Sequence, residues 1–408
     1  MQKKLIKLFL VFLLCINIVQ AKEIDLSSKN YILYNLNDNE IIDGKNEHDR
    51  VSVASLTKIM TVIVAIENID DYNSKVTINK DMISGIAHDV VKVGFKRGEV
   101  VTYDDLLYGA ILKSGADAVN ALAISTSNNM NSFIDKMNSK VKELGLKNTH
   151  FSNVVGLYDK DNYSSAYDMA QILLYALKND KFKTVFTTKE YTLSNNIKVI
   201  RTIDNYNRKL KENLSIIKGA KTGFVEEAGY CLASISTLNN IDYMFISLGA
   251  SKSPNQILDH LKEYNYFKDN YGYQNLLTPD YKITSLKTKY AVEKYVDIYY
   301  DKTIKKYLKN DYNKSDLIVK YTGINNISYF TPKNLKLGTV EVFYKGELLD
   351  KFDVFNTKNL TLNIYELLFD CRYIIITLIL LIIFIVIIKY VNNKSHYNLE
   401  VDNKDLKF

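Results

Sequence analysis

Apolar and polar positions along this chain fall into two successive rhythms. Tyr31–Leu36 and Glu40–Asp43 are short β-type runs on either side of Asn37-Asp38-Asn39, so a hairpin is expected there. From Ser55 to about Glu67 the apolar residues recur at helical spacing, and Tyr103–Ser125, Met130–Leu144 and Ala166–Asn179 read as further helices. Ala228–Ser236 and Asp242–Ala250 are rich in β-formers and are separated by the turn Thr237-Leu238-Asn239-Asn240. Gln256–Lys268 closes the region with another helical pattern. Strands, a set of helices and more strands predict a sheet with helices on its faces, a domain spanning 28–272. Past Gly272 helical periodicity fades. Val296–Tyr300, Leu317–Tyr321 and Gly338–Tyr344 alternate or are rich in β-formers, which predicts a small all-β domain over 276–360.

The two ends carry a different pattern. Lys3, Lys4 and Lys7 precede an apolar run from Leu8 to about Val19, and Ala21 supplies a small residue for cleavage, so 1–21 reads as a secretory signal peptide. Tyr373 to Ile388 contains no charge, and Val391 is reachable if Lys389 snorkels, so 373–391 reads as a transmembrane helix. Lys389 and Lys394 follow it, which predicts a cytoplasmic tail over 392–408. A cleaved leader and a C-terminal anchor together predict a single-pass membrane protein whose body lies outside the cell.

Composition narrows the chemistry. With 408 residues, 47% of them hydrophobic and 24% charged, the chain has enough apolar material for two folded domains. The net charge of +7 is spread out, with no concentrated basic block, so nucleic acid is not an expected partner. The histidines His48, His88, His150, His260 and His396 show no metal-ligand spacing, and no metal or cofactor is expected. Cys15 and Cys371 belong to the terminal apolar segments. Cys231 is then alone in the body, where a lone cysteine reads as a small buried hydrophobe.

Three short segments carry candidate chemistry. In Ser55-Leu56-Thr57-Lys58, Ser55 and Lys58 stand three apart at a helix start and therefore share a face. A desolvated lysine there loses its ammonium proton more easily and can take the serine proton. In Lys221-Thr222-Gly223 a cation and a hydroxyl can bind a carboxylate, and the glycine lets a substrate backbone lie along the strand edge. Ser114-Gly115-Ala116 follows the apolar run Leu106–Leu112, and Ser114 can pass a proton between the lysine and a leaving group.

In this order, the three segments match the set common to class A β-lactamases and penicillin-binding proteins. Their contexts narrow the match: Val53-Ala54-Ser55-Leu56-Thr57-Lys58-Ile59-Met60-Thr61, Thr149-His150-Phe151-Ser152-Asn153 with Gly156-Leu157, Tyr163-Ser164-Ser165-Ala166-Tyr167-Asp168, and Lys221-Thr222-Gly223-Phe224 with Glu227-Ala228-Gly229-Tyr230-Cys231. Over residues 30–270 the chain resembles the low-molecular-mass penicillin-binding proteins, serine-type D-alanyl-D-alanine carboxypeptidases of the S11 peptidase family. The resemblance implies an α/β (α+β) catalytic domain of the serine β-lactamase and transpeptidase type, followed by a small all-β stalk domain and a transmembrane helix. It implies peptidoglycan stem peptides as substrates, β-lactam antibiotics as inhibitors, and the cell membrane as the third partner. By the same resemblance Ser55 is the nucleophile, Lys58 its general base and Ser114 the proton relay. Lys221 and Thr222 bind the terminal carboxylate beside Gly223, and the backbone N–H groups of Ser55 and Phe224 form the oxyanion hole.

One position departs from that family pattern: Ala116 stands where an asparagine is usual. The missing amide is expected to leave Lys58 less well oriented. His150 and Asp168 are expected to be structural. Three alternatives stay open from the residues alone. A β-lactamase needs a deacylating glutamate with asparagine four residues on, and no such pair lies between Ser114 and Lys221. A D,D-endopeptidase would use the same machinery on cross-linked stems. A catalytically weakened wall-binding homologue would account for Ala116.

Overall fold

The computed structural model describes residues 24–127, 129–206, 210 and 212–402. The expected signal peptide lies outside the described residues, as does the end of the expected tail. The chain divides into two compact units at Asp269/Asn270.

The first unit is built on a five-stranded antiparallel sheet. Its strands are β1 (Asn30–Asn35), β2 (Glu40–Lys45), β3 (Ile217–Val225), β4 (Gly229–Leu238) and β5 (Ile241–Ala250), in the order β2-β1-β5-β4-β3. The turn between β4 and β5 has Asn239 and Asn240 both at positive φ, 51° and 62°. That is the backbone of a tight hairpin whose twist matches its strands. Both sheet faces are covered, which accounts for the buried run of β1. Ile32, Tyr34, Ala233, Met244, Ile246 and Leu248 point into the main core. The alternate residues Ser234, Phe245 and Ser247 meet the helix Asn255–Asn270, whose buried His260 lies 2.7 Å from Ser234 Oγ and 3.0 Å from Ser247 Oγ.

The helices fill the other face. A short 3-10 turn, Ala54–Leu56, leads into α1 (Thr57–Ile66), which is buried along its whole length. That is why its sequence is apolar all round rather than striped. The expected helix Tyr103–Ser125 is not continuous. Helix α2 (Tyr103–Ile111) opens with a capping box between Thr102 and Asp105, and α3 (Ala116–Ser125) resumes after a break at Leu112–Gly115. Ser114 sits in the break at φ 64°. Tertiary bonds hold it open: Thr202 Oγ1 donates to Leu112 O at 3.0 Å, and Ala116 N donates to Val91 O at 2.9 Å.

The second unit is rich in strands from Tyr271–Leu277 to Glu347–Phe355. Its core gathers Leu286, Tyr300, Ile327, Val340 and Val342. One pairing is parallel, Lys282–Lys289 with Asn326–Ser328. A helix, Ile364–Asp402, follows. Its Ile364–Asn393 portion is long and apolar enough to cross a membrane and leaves its apolar side chains uncovered, which is compatible with an anchor.

Candidate active site

The cleft of the first unit has a volume of about 1030 Å³ and opens between β3, the start of α1 and the break before α3. Ser55, Lys58 and Ser114 line it, as do Thr222, Gly223 and Phe224. Lys221 is buried just behind Ser114.

Ser55 precedes α1 in the 3-10 turn, and its neighbour Ala54 is held at φ 48°. A non-glycine residue in that region is strained, and such strain persists only where the surroundings enforce it. Two glycines allow the close packing that does so. A Cβ on Gly156, which has φ 87°, would stand 1.9 Å from Ala54 O, and a Cβ on Gly223 would stand 3.1 Å from Ser55 N. Gly223 thereby brings β3 against the nucleophile candidate. β3 is an edge strand, so an added chain can lie along its outer side.

Lys58 Nζ lies 2.7 Å from Ser55 Oγ and donates to Val155 O at 2.6 Å. The lysine is fully buried, and burial alone lowers its pKa from 10.5 to about 7. A neutral amine at that distance can accept the Ser55 proton while keeping its bond to Val155. The carbonyl is aimed by an Asx-type turn: Asn153 Oδ1 accepts from Val155 N, Gly156 N and Leu157 N at 3.2, 2.7 and 3.1 Å. Lys58 therefore has a fixed partner besides Ser55. Ala116 is buried at the start of α3, where it leaves Lys58 no side-chain amide; the expected looseness of Lys58 is answered by Val155.

Lys221 Nζ donates to Ser114 Oγ at 2.8 Å and to Thr222 O at 2.7 Å. Burial, reinforced by the nearby charge of Lys58, lowers its pKa well below the usual lysine value. Ser114 is thus joined to one lysine, while the other lysine is joined to Ser55. Arg201, a residue the sequence reading passed over, fixes the start of β3: its guanidinium grips Asp204 with two bonds and donates to Ile217 O and Lys218 O. Asp117 accepts from Val93 N, Gly94 N and Phe95 N and so ties one cleft wall to α3. His150 lies 2.5 Å from Asp161 O through Nδ1, and Asp168 accepts from Asn148 N and Thr149 Oγ1, both structural arrangements. The Cys231 thiol is pushed up to about 12 by burial, so it is inert as a nucleophile. Among the described residues no His, Cys, Asp and Glu cluster has a metal-holding arrangement.

The family model for D-alanyl-D-alanine carboxypeptidase, peptidase S11, matches residues 17–252. The chain belongs to this family. Among its relatives is the D-alanyl-D-alanine carboxypeptidase DacF of Bacillus subtilis, 29% identical over 334 residues that cover 81% of this chain and 85% of the relative. The D-alanyl-D-alanine carboxypeptidase of Streptomyces sp. strain K15 is 36% identical over 232 residues, 53% of this chain and 79% of the relative. The crystal structure of the Streptomyces K15 DD-transpeptidase superposes with a TM-score of 0.55 at 30% identity, over 60% of this chain and 98% of that one. Penicillin-binding protein 5 from Haemophilus influenzae superposes with a TM-score of 0.61 over 84% of this chain and 99% of that one, and at 24% identity shows a shared architecture. In this S11 chain the cleft walls beyond the motif residues are mixed. Val91, Leu157, Tyr158 and Ile200 are apolar and exposed, while Asp89, Lys113, Lys198 and Glu226 carry charge.

Proposed function

We propose that this chain is a serine D,D-carboxypeptidase that removes the terminal D-alanine from peptidoglycan pentapeptide stems through an acyl-enzyme on Ser55. The observation that carries the reading is the desolvated Lys58 amine, 2.7 Å from Ser55 Oγ. Lys58 takes the Ser55 proton as Oγ attacks the carbonyl carbon of the penultimate D-alanine. The oxyanion formed is met by the backbone N–H groups of Ser55 and Phe224. As the tetrahedral intermediate collapses, the C–N bond breaks and the proton held by Lys58 passes through Ser114 to the departing D-alanine nitrogen. Water then adds to the Ser55 ester, giving up a proton to Lys58, and as the acyl C–Oγ bond breaks Lys58 returns that proton to Ser55 Oγ. The terminal carboxylate is held by Thr222, with the Lys221 charge just behind it and Gly223 alongside. A β-lactam acylates Ser55 in the same way, by opening its ring amide.

The finer topology belongs to the same proposal. A cleaved leader at 1–21, a spanning helix over 373–391 and a cytoplasmic tail over 392–408 leave the catalytic domain, 28–272, and the β domain, 276–360, outside the cell. The uncharged stretch from Tyr373 and the location of peptidoglycan outside the membrane support this orientation. A second reading has its own support: the similar Streptomyces structure is that of a DD-transpeptidase, and an amine in place of water would take the same acyl group. Incubating the detergent-solubilised full chain with a pentapeptide stem tests the proposal. Free D-alanine should accumulate, and a stem amidated at its C-terminus should be a poor substrate. Equal turnover of acid and amide would contradict the carboxylate site, and exclusive formation of cross-linked product with an added acceptor amine would favour the second reading.

A further inference from the structure

The second unit holds a cavity that carboxypeptidase chemistry does not use. Its volume is about 240 Å³, and its lining includes Ser328, Thr331, Lys333, Asn356, Lys358 and Leu360. The walls are internally braced. Asn356 is buried and its Nδ2 donates to Thr331 O and Pro332 O, both at 3.1 Å, while Ser328 N donates to Thr331 Oγ1 at 2.8 Å. Lys333 and Lys358 are exposed and have no ion-pair partner among the described residues. Two unneutralised ammonium groups beside hydroxyls and amides suit a phosphate group.

One wall of the cavity ends at Leu360, close to the root of the apolar helix. Leu360 precedes Ile364 by so few residues that the two lie within about 14 Å. The adjoining turn is fastened to that root. Val292 N donates to Thr361 O at 2.9 Å, Asn363 N to Tyr290 O at 3.0 Å, and Tyr290 N to Glu366 Oε2 at 3.0 Å. Tyr290 OH donates to Asp370 Oδ2 at 3.2 Å, and Lys289 Nζ lies 2.9 Å from the same oxygen. The acidic groups at this level are therefore already engaged. The cavity wall joins this turn too, because Tyr329 N donates to Lys289 O at 3.0 Å and the Phe330 ring stands 6.1 Å from that of Tyr290.

Depth follows from helix geometry. The uncharged run begins at Tyr373, so Asp370 stands about 4.5 Å before it along the axis. The polar headgroup layer is about 5–7 Å deep on each side of the hydrocarbon. Tyr290 is bonded at Asn363, Glu366 and Asp370, so its backbone stands about 10–15 Å before Tyr373 and its hydroxyl reaches the Asp370 level, inside the headgroup layer where aromatic side chains concentrate, with the Phe330 ring beside it at the outer edge of that layer. Phe330 is 58% exposed and Val292 61%, an unusual amount of apolar surface unless something covers it. We infer that this end of the β-rich unit seats on the outer leaflet, with Phe330 at the interface and the cavity lined by its neighbours Tyr329 and Thr331 and by Lys333 and Lys358 holding the phosphate of an anionic lipid headgroup. The inference rests on the proposed membrane anchor.

The sequence has no tryptophan, so Phe330→Trp introduces a single tryptophan whose emission can be excited apart from the tyrosines. The full chain bearing it is reconstituted in phosphatidylcholine vesicles containing phosphatidylglycerol, with one lipid brominated near the headgroup, or at its chain ends for the mid-helix probe. Phe384→Trp, in the middle of the helix, is the parallel probe of the anchor. Both fluorophores should be quenched, Trp emission at 330 more strongly by brominated phosphatidylglycerol than by brominated phosphatidylcholine at equal mole fraction. Lys333→Ala with Lys358→Ala should lower that preference about fivefold or more. If only the Phe384→Trp protein is quenched, the anchor stands and the seating is wrong. If neither is quenched, the anchor itself fails. A preference untouched by the lysine substitutions overturns the phosphate site. Loss of the preference on adding inorganic phosphate assigns the cavity to a soluble phosphate and overturns the lipid assignment.

Discussion

Lys58 should make acylation strongly dependent on pH around neutrality. Full burial lowers its pKa from 10.5 to about 7. At pH 7 about half of the molecules then carry a neutral Lys58, against roughly 0.03% for an ordinary lysine, so burial raises the competent fraction about a thousandfold. The sign is set by the role: a base must be unprotonated, so the rate is lost as pH falls through the folded-state pKa. The second-order rate of labelling by a fluorescent penicillin, measured on the full chain between pH 5.5 and 9, should rise about tenfold per pH unit below 7 and level off near 8. Lys221 also has a lowered pKa through burial and the nearby Lys58, so its charge weakens as pH rises, and binding of ligands bearing a carboxylate should weaken with it. A rate independent of pH between 5.5 and 7, or one rising as pH falls, would refute Lys58 as the base.

The same burial penalises the folded state. Between pH 7 and 10.5 the unfolded chain binds more protons at Lys58, so stability rises with pH through that window and the full cost applies below it. Lys58→Met should therefore raise stability at pH 6 by roughly 2–4 kcal/mol, allowing for the orphaned Val155 carbonyl, and much less at pH 10, as read from denaturant melts. Gly156→Ala should slow penicillin labelling at least tenfold, because its Cβ would stand 1.9 Å from Ala54 O. Gly145→Ala, at φ 68° with open space around it, should lose stability without slowing labelling. Ala116→Asn should raise kcat/KM on D-Ala-D-Ala peptides by roughly 2- to 12-fold, one hydrogen bond to the substrate, because Lys58 is already held by Val155. No gain in a protein with an unchanged melt would mean that another donor serves that contact.

Legibility tracked how local each feature is. Ser55 and Lys58 are neighbours on one helical turn, so their spacing already implied contact. The β4–β5 hairpin was visible because Asn239-Asn240 suits positive φ. The break in Tyr103–Ser125 was hidden, since apolar periodicity runs through it and bonds to the distant residues Thr202, Val91 and Lys221 help hold Ser114 at φ 64°. Val155 could not be found from side-chain chemistry, because its carbonyl is what binds Lys58. The Asn153…Gly156 spacing was on view, but its task, aiming that carbonyl, needs the fold. Nothing local singles out Arg201, because its role depends on carbonyls of β3 that lie 16 and 17 residues further along the chain. In the second unit the β rhythm was plain, yet the parallel pairing of Lys282–Lys289 with Asn326–Ser328 depends on long-range closure that no local pattern encodes.

The central claim is that Ser55 becomes covalently acylated, and intact-protein mass spectrometry after exposure to benzylpenicillin tests it most directly. One penicilloyl adduct per chain is predicted, mapped by proteolysis to the peptide containing Ser55, and absent from Ser55→Ala. Full labelling of the Ser55→Ala chain, or an adduct mapped to Ser114 in the unaltered protein, would contradict the account.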